Sequence, residues 1–258
     1  MKKLTVAALA VTTLLSGSAY AHEAGEFFMR AGSATVRPTE GAGGTLGSLG
    51  GFSVTNNTQL GLTFTYMATD NIGVELLAAT PFRHKIGTRA TGDIATVHHL
   101  PPTLMAQWYF GDASSKFRPY VGAGINYTTF FDNGFNDHGK EAGLSDLSLK
   151  DSWGAAGQVG VDYLINRDWL VNMSVWYMDI DTTAKYKSDG RKLAKGSYSD
   201  NVRLDPWVFM FSAGYRFYFS LQNLCKTLLQ NWSSNDQFFP LLTAYIVVNI
   251  GHFLIRMA

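Results

Sequence analysis

The sequence reads Gln59-Leu60-Gly61-Leu62-Thr63-Phe64-Thr65-Tyr66. Large apolar side chains occupy every second position of this stretch, and glycine, threonine or glutamine lies between them. Successive side chains of a β-strand point to opposite faces, so the spacing gives one apolar face and one small or polar face. The stretch therefore predicts a strand with two chemically different faces.

The same period of two recurs in seven further segments, whereas helical spacing is almost absent between residues 26 and 217. The eight predicted strands cover Glu26–Val36, 59–66, 72–78, 104–110, 121–127, 153–163, 169–177 and 207–217. The sequence thus predicts an all-β protein of eight antiparallel strands.

The connections between these strands alternate strictly in length. The long polar connections are Pro38–Asn57, Arg83–Pro101, Asp132–Lys150 and Thr182–Asp205. The short connections are Met67–Asn71, Gly111–Arg118 and Ile165–Asp168. Short turns at one end and long loops at the other are typical of an outer-membrane β-barrel, with the turns in the periplasm and the loops outside the cell.

Aromatic residues fall at both ends of the predicted strands, as in a barrel with an aromatic girdle at each membrane interface. The periplasmic girdle contains Phe27, Tyr66, Trp108, Phe110, Tyr163, Trp169 and Phe217. The outer girdle contains Phe82, Tyr127, Phe131, Trp153, Tyr177 and Trp207. A soluble barrel would carry a charged exterior, but the small polar face here has few charges. The pattern therefore favours a membrane barrel.

Composition excludes several other classes of protein. The chain has 258 residues, 46% of them hydrophobic and 16% charged, with a net charge of +1 and one cysteine. These values argue against disorder, a disulfide framework, a cysteine-based zinc module and a nucleic-acid partner. Nothing in the sequence predicts a cofactor.

Both termini differ from the barrel pattern. Lys2 and Lys3, an apolar stretch from Leu4 to Leu15, and Ala19-Tyr20-Ala21 predict a signal peptide over residues 1–21. The barrel then covers 22–217. Residues 218–258 lack the alternation, contain Cys225, and are interpreted as translated sequence beyond a lost stop codon or a frameshift. A helical periplasmic or membrane-attached tail is the alternative.

Several segments resemble the outer membrane protein W (OmpW) family over residues 1 to about 217. They are the signal peptide, His22-Glu23-Ala24-Gly25, the run from His99 to Phe110 (HLPPTLMAQWYF), the run from Arg118 to Gly124 (RPYVGAG), and Gly214-Tyr215-Arg216-Phe217. The resemblance implies a narrow hydrophobic channel for uptake of small hydrophobic molecules, with Leu77 and Trp176 as its constriction, and a colicin receptor at the surface. It also implies lateral exit of the solute into the membrane, and recognition of the strand ending at Phe217 by the barrel assembly machinery.

The alternation also predicts which side chains face the barrel interior. An eight-stranded barrel holds little more than its own side chains or one small ligand, which excludes a general porin. The predicted apolar lumen consists of Leu77, Met105, Trp176, Met178, Val208 and Met210. The predicted polar plug, nearer the periplasm, consists of Glu26, Arg30, Glu75, Asp162 and Arg216. Flexible apolar side chains can bind an apolar solute, and paired charges can close the lumen to water and ions. Leu77 and Trp176 could instead simply fill the barrel.

The predicted loops contain basic clusters at the level of lipopolysaccharide head groups, whose phosphates they could contact. One cluster is Arg83, His84, Lys85 and Arg89, and the other is Lys185, Lys187, Arg191, Lys192 and Lys195. Equally, these loops could be merely solvated. His84, Asp93, His98 and His99 fit no standard metal-ligand spacing, so no metal site is predicted.

Two enzymatic motifs are missing from the pattern. The glycine-rich stretch 41–51 lacks the strand, helix and Lys-Ser/Thr of a phosphate-binding loop. No G-x-S-x-G motif is present, and an outer-leaflet hydrolase or acyltransferase is not expected. Two functional classes remain: a channel for hydrophobic molecules, or a structural barrel whose loops bind partners.

Overall fold

The computed structural model describes residues 22–39, 41–45, 53–88 and 92–217. The predicted signal peptide and the predicted tail lie outside these residues, as does Arg89 of the first basic cluster. Among the described residues, none of the helices is long and apolar enough to cross a membrane.

Eight strands form a closed antiparallel barrel, as predicted. They are β1 (Phe27–Arg37), β4 (Asn57–Met67), β5 (Ile72–Ala79), β8 (Thr103–Tyr109), β9 (Phe117–Phe135), β11 (Ser152–Leu164), β12 (Trp169–Met178) and β15 (Trp207–Phe217). Each pairs with the next along the chain, and β15 pairs with β1 from Phe217↔Phe27 to Trp207↔Arg37. Closure pairs every strand on both sides, which a membrane-spanning sheet requires.

The two faces of the barrel strands differ as the period of two predicts. The outer face exposes apolar side chains to lipid, including Leu60, Val121, Ile125, Val159, Met173 and Phe211. Aromatic side chains lie exposed at the turn end (Tyr66, Trp108 and Phe110) and at the loop end (Trp153, Tyr177 and Trp207). One assignment to the outer girdle is wrong: Phe82 is only 2% exposed and packs inside the loop end. Its strand begins after Pro81 and belongs to a loop hairpin, so the alternation of β5 does not extend to it.

The long connections are more ordered than their polar composition suggests. They contain β2 (Gly41–Ala42), β3 (Ser53–Val54), β6 (Phe82–Thr88), β7 (Gly92–Leu100), the helix α1 (Asp137–Glu141), β10 (Leu144–Leu149), β13 (Asp181–Ser188) and β14 (Gly196–Arg203). The hairpin β6–β7 pairs with the upper part of β9, and β10, β13, β14 and β2 form a separate four-stranded sheet. These loop strands extend the barrel outward and enclose apolar space above it.

Candidate channel through the barrel

Arg30 on β1 is the centre of the polar plug. Its guanidinium group bonds the carboxylates of Glu75 and Asp162, with one Nε–Oδ1 distance to Asp162 of 3.1 Å. It also donates to the hydroxyl of Tyr109 at 2.8 Å and to that of Thr65 at 3.1 Å. Arg30 and both carboxylates are buried, so one buried cation forms ion pairs with two buried carboxylates.

A second ion pair completes the plug at the turn end of the barrel. Arg216 on β15 donates two hydrogen bonds to Glu26, one of them 2.6 Å long between Nη2 and Oε2. The buried ring of His22 connects this pair to the first. Its Nε2 lies 3.1 Å from Oδ2 of Asp162, and its Nδ1 lies 3.3 Å from Oε1 of Glu26.

Neutral side chains complete the hydrogen bonding of the plug carboxylates. The amides of Gln107 and Gln158 donate to Oε1 of Glu75 at 2.8 and 2.9 Å, and the amide of Asn172 donates to Asp162 at 2.7 Å. Sequence reasoning missed these residues, His22 and Tyr109. For Gln107, Tyr109, Gln158 and Asn172 the signal was available, because they share the inward parity of their strands. A buried polar network with satisfied partners is rigid, which suits a barrier to water and ions.

All six predicted lumen residues lie inside the barrel above the plug, and each is at most 4% exposed. They belong to one apolar cluster that continues outward into side chains of the loop strands. Trp176 satisfies its indole N–H by donating to Oγ of Ser174 at 3.1 Å. Side chains therefore fill the lumen at Leu77 and Trp176, and a solute would pass only by displacing flexible neighbours such as Met105 and Met178.

An apolar space, the outer cavity, lies above the lumen between the loop sheets. Its walls include Val36, Val54, His84, Ile86, Ile94, Val97, His99, Phe130, Leu147, Tyr186 and Val202. The cavity volume is about 40 Å³. Sequence reasoning missed this cavity because the loops were interpreted by their charges. Its signal was the period of two in Ala95, Val97 and His99 of β7 and in Leu147 and Leu149 of β10.

Two histidines lie in the wall of the outer cavity. The rings of His84 and His99 are 4.9 Å apart between centroids, and both side chains are buried. Burial lowers the pKa of His99 to about 3, and the charge of His84 adds to that effect. Burial also lowers the pKa of His84. The assignment of His84 to a basic surface cluster is therefore wrong, whereas Arg83 and Lys85 are exposed as expected.

The four residues considered as metal ligands do not meet at one point. His98 stacks on Phe131 on the other face of β7, and Asp93 forms an exposed ion pair with Lys85 at 3.5 Å. Only His84 and His99 lie together. A different acidic group, Asp179, Asp181 and Asp205, brings carboxylate oxygens within 4.8 Å of one another. The guanidinium of Arg203 already lies 3.4 Å from two of these residues, Asp181 and Asp205.

The hydrogen-bonded ladder of the barrel wall is interrupted just outward of Leu77, at a place here called the seam. The β5–β8 ladder ends at Leu77↔Thr103, and the β6–β7 ladder begins at Phe82↔His99. Ala78 and Ala79 pair with β4, and Leu100 pairs with β9, but no ladder pair joins residues 78–81 to residues 100–102. Pro101 and Pro102 lie in this segment, and proline has no N–H to donate to a ladder.

A closed eight-stranded antiparallel barrel with an apolar outer face, aromatic residues at both ends and a polar plug is an outer-membrane β-barrel protein. Residues 23–217 match the OmpW family model, and the chain belongs to that family. It is a multi-pass protein of the bacterial outer membrane.

The chain is similar in sequence or structure to the following three known proteins. Outer membrane protein W of Escherichia coli (strain K12) is 94% identical over 217 residues, which are 84% of this chain and 100% of that protein. The crystal structure of OprG from Pseudomonas aeruginosa superimposes with a TM-score of 0.70 and 42% identity, over 77% of this chain and 99% of OprG. The dibenzothiophene metabolism operon protein PahQ of P. aeruginosa is 27% identical over 171 residues, or 65% of this chain and 75% of PahQ.

Proposed function

We propose that the protein takes up small hydrophobic molecules across the outer face of the outer membrane. The solute enters the outer cavity, reaches the constriction at Leu77 and Trp176, and leaves sideways into the membrane through the seam, which lies just outward of Leu77. One observation carries this proposal: a single apolar cluster joins the outer cavity to the lumen and ends above the polar plug.

The chemistry of the lumen selects apolar solutes. A solute with several polar groups would lose their hydration in the outer cavity, and the mostly apolar walls would return few hydrogen bonds, at a cost of several kcal/mol for each polar group left unpaired. An apolar solute gains about 25 cal/mol for each Å² that it removes from water. The name of PahQ connects that relative to the metabolism of dibenzothiophene, an apolar aromatic compound, which is the class of solute proposed here.

The position of the seam supports lateral exit. A solute beside Leu77 would meet the polar plug below, where Arg30, Glu75 and Asp162 are buried and bonded. The seam lies directly outward of Leu77, at the loop end of β5, and opening it breaks no ladder hydrogen bond between β5 and β8. The wall is therefore a lower barrier than the plug for an apolar solute.

Uptake can be measured with liposomes that contain the purified protein and a fluorescent apolar solute such as pyrene. The double variant Leu77→Ala/Trp176→Ala removes the bulk of the constriction, and we expect uptake several-fold faster than in the parent. Ile125→Ala is the matched control, because Ile125 faces lipid and is 54% exposed. Two results would favour the alternative that Leu77 and Trp176 only fill the barrel. One is uptake no faster than in protein-free liposomes, and the other is an uptake rate that the double variant does not change.

Lateral exit has its own test in Pro101→Ala/Pro102→Ala. This variant restores two backbone N–H groups, and the one that faces residues 78–81 can extend the ladder across the seam, so we expect slower uptake with unchanged binding in the outer cavity. An unchanged uptake rate would exclude the seam as the exit.

We also propose that the loops bind partners at the cell surface, including a colicin and lipopolysaccharide phosphates. In support, Lys185, Lys187, Arg191, Lys192 and Lys195 are all exposed on or next to the β13–β14 hairpin. Deletion of residues 189–195 should make cells resistant to a colicin that uses this protein as its receptor, and it should leave pyrene uptake unchanged. If only the deletion affects cells, and lumen variants never do, the protein is an interaction barrel without transport.

Recognition by the barrel assembly machinery is proposed to use β15, which ends at Phe217 and closes the barrel against β1. Phe217→Ala should reduce the amount of folded barrel in the outer membrane. Normal assembly of this variant would contradict that role.

A further inference from the structure

The outer cavity contains two polar atoms that its apolar walls do not explain. His84 and His99 are each 3% exposed, and among the described residues the Nε2 atom of neither ring has a hydrogen-bond partner. An unpaired buried polar atom is costly, and native structures contain few of them. A ligand that bonds one of these nitrogens would gain affinity from that bond.

The hydrogen bond on the other side of the His84 ring fixes what a ligand must supply. Nδ1 of His84 donates to the backbone carbonyl oxygen of Thr55 at 2.5 Å. A carbonyl oxygen can only accept, so Nδ1 carries the proton of the neutral ring, and Nε2 presents a lone pair. Burial lowers the pKa of both histidines, which keeps the rings neutral at pH 7. The free atom of His84 is therefore a hydrogen-bond acceptor.

Among the described residues that line the cavity, no side chain donates a hydrogen bond to this acceptor. The rings of Phe82 and Phe130 pack against His99, and Phe82 also stacks on His84. Tyr186 is the remaining polar side chain in the cavity wall, and its hydroxyl already donates to Oδ2 of Asp200 at 2.7 Å. The wall thus combines an apolar surface with one acceptor, and His99 can act as a second donor or acceptor beside it.

We infer that the outer cavity preferentially binds apolar molecules that carry one hydroxyl group, that is, aliphatic alcohols or phenols, with the O–H donating to Nε2 of His84. This inference rests on the proposed function and narrows its solute class. The hydrocarbon part packs along Ile86, Ile94 and Val97, and the cavity widens to admit it. A hydroxyl also has an acceptor oxygen, which Nε2–H of His99 can use in the matching tautomer.

Two isomers give a matched pair of probes. 1-Octanol and 1-methoxyheptane have the same atoms, but only the alcohol can donate a hydrogen bond. Binding to the full-length protein in lipid nanodiscs can be followed by titration of the intrinsic tryptophan fluorescence. We expect 1-octanol to bind about three to ten times more tightly than the ether, the ratio that one net hydrogen bond gives.

Variants of His84 and His98 test whether His84 causes the preference for the alcohol. His84→Leu should bind both isomers equally, whereas His98→Leu, on the opposite face of the same hairpin, should keep the preference of the parent. A measurement on the unmodified protein covers the case in which His84→Leu does not fold. The 15N resonance of Nε2 of His84 should shift on addition of 1-octanol and not on addition of the ether.

Equal affinities in the parent, a preference that survives His84→Leu, or an unmoved Nε2 resonance would each overturn the inference. Pyrene uptake separates this failure from failure of the proposed function. If pyrene still enters liposomes through the parent protein, uptake stands and only the hydroxyl preference falls. If neither binding nor uptake occurs, both fall.

Discussion

Replacement of Arg30 by methionine tests whether the polar plug is a sealed ionic network. Methionine keeps an unbranched apolar stem of similar length and removes the charge. The carboxylates of Glu75 and Asp162, both fully buried, would then lose their shared cation. Removing one member of a buried ion pair costs about 3–5 kcal/mol, because the partner charge stays buried and uncompensated.

The remaining hydrogen bonds set how far this cost can rise. Glu75 keeps the amides of Gln107 and Gln158, and Asp162 keeps the amide of Asn172 and the ring of His22. These donors hold the orphaned carboxylates, so the loss should stay near that of one broken pair although two carboxylates are affected. We therefore expect Arg30→Met to lower the free energy of unfolding by about 3–5 kcal/mol.

Urea unfolding in lipid vesicles, followed by tryptophan fluorescence, measures this loss. Arg191→Met is the matched control: its ion pair with Asp189, at 3.1 Å, is exposed, and its removal should cost less than about 1 kcal/mol. The triple variant Arg30→Met/Glu75→Gln/Asp162→Asn removes the uncompensated charges and should recover most of the stability. If Arg30→Met costs no more than the control, or if the triple variant is worse than Arg30→Met, the plug is not held by its charges.

Three further predictions concern other parts of the chain. The folded-state pKa of His99, about 3, lies below the ordinary value of 6.5, so protonation favours the opened hairpin. The stability of the hairpin should be complete above pH 6.5 and fall as the pH drops toward 3. Hydrogen exchange of β6 and β7, corrected for intrinsic rates, measures this; His99→Leu should reduce the pH dependence, and His84→Leu/His99→Leu should remove most of it, because burial lowers the pKa of His84 as well. Gly160→Val should destabilise the barrel by about 1–3 kcal/mol, because a Cβ atom there would lie 2.5 Å from the hydroxyl of Tyr120, whereas Gly157→Val has open space and should be nearly neutral in the same urea assay. Truncation after Phe217 should raise the heat-modifiable folded fraction in the outer membrane, and equal fractions for the full and truncated chains would refute the idea that residues 218–258 hinder assembly.

The barrel could be predicted from sequence because a membrane enforces its alternation on every spanning strand. Positions such as Leu60 and Ile125 must face lipid, and their neighbours on the same strands must face inward. The same rule placed Trp176 and Arg30 inside without any knowledge of their partners. The period of two indicates on which side of the barrel wall a residue lies.

The period does not carry the contacts that a residue makes. The link between His22 and Asp162 spans 140 positions of sequence and depends on barrel closure. Phe82 and His84 were misplaced because they follow Pro81, where the chain leaves the membrane wall and the lipid no longer dictates the pattern. The outer cavity was missed for the same reason, since its walls come from four separate loop segments.

The buried position of His22 places the predicted first residue of the mature protein inside the polar plug. Cleavage after Ala21, as the leader pattern predicts, would make His22 the first residue of the mature protein, so the newly created chain end is itself a component of the seal.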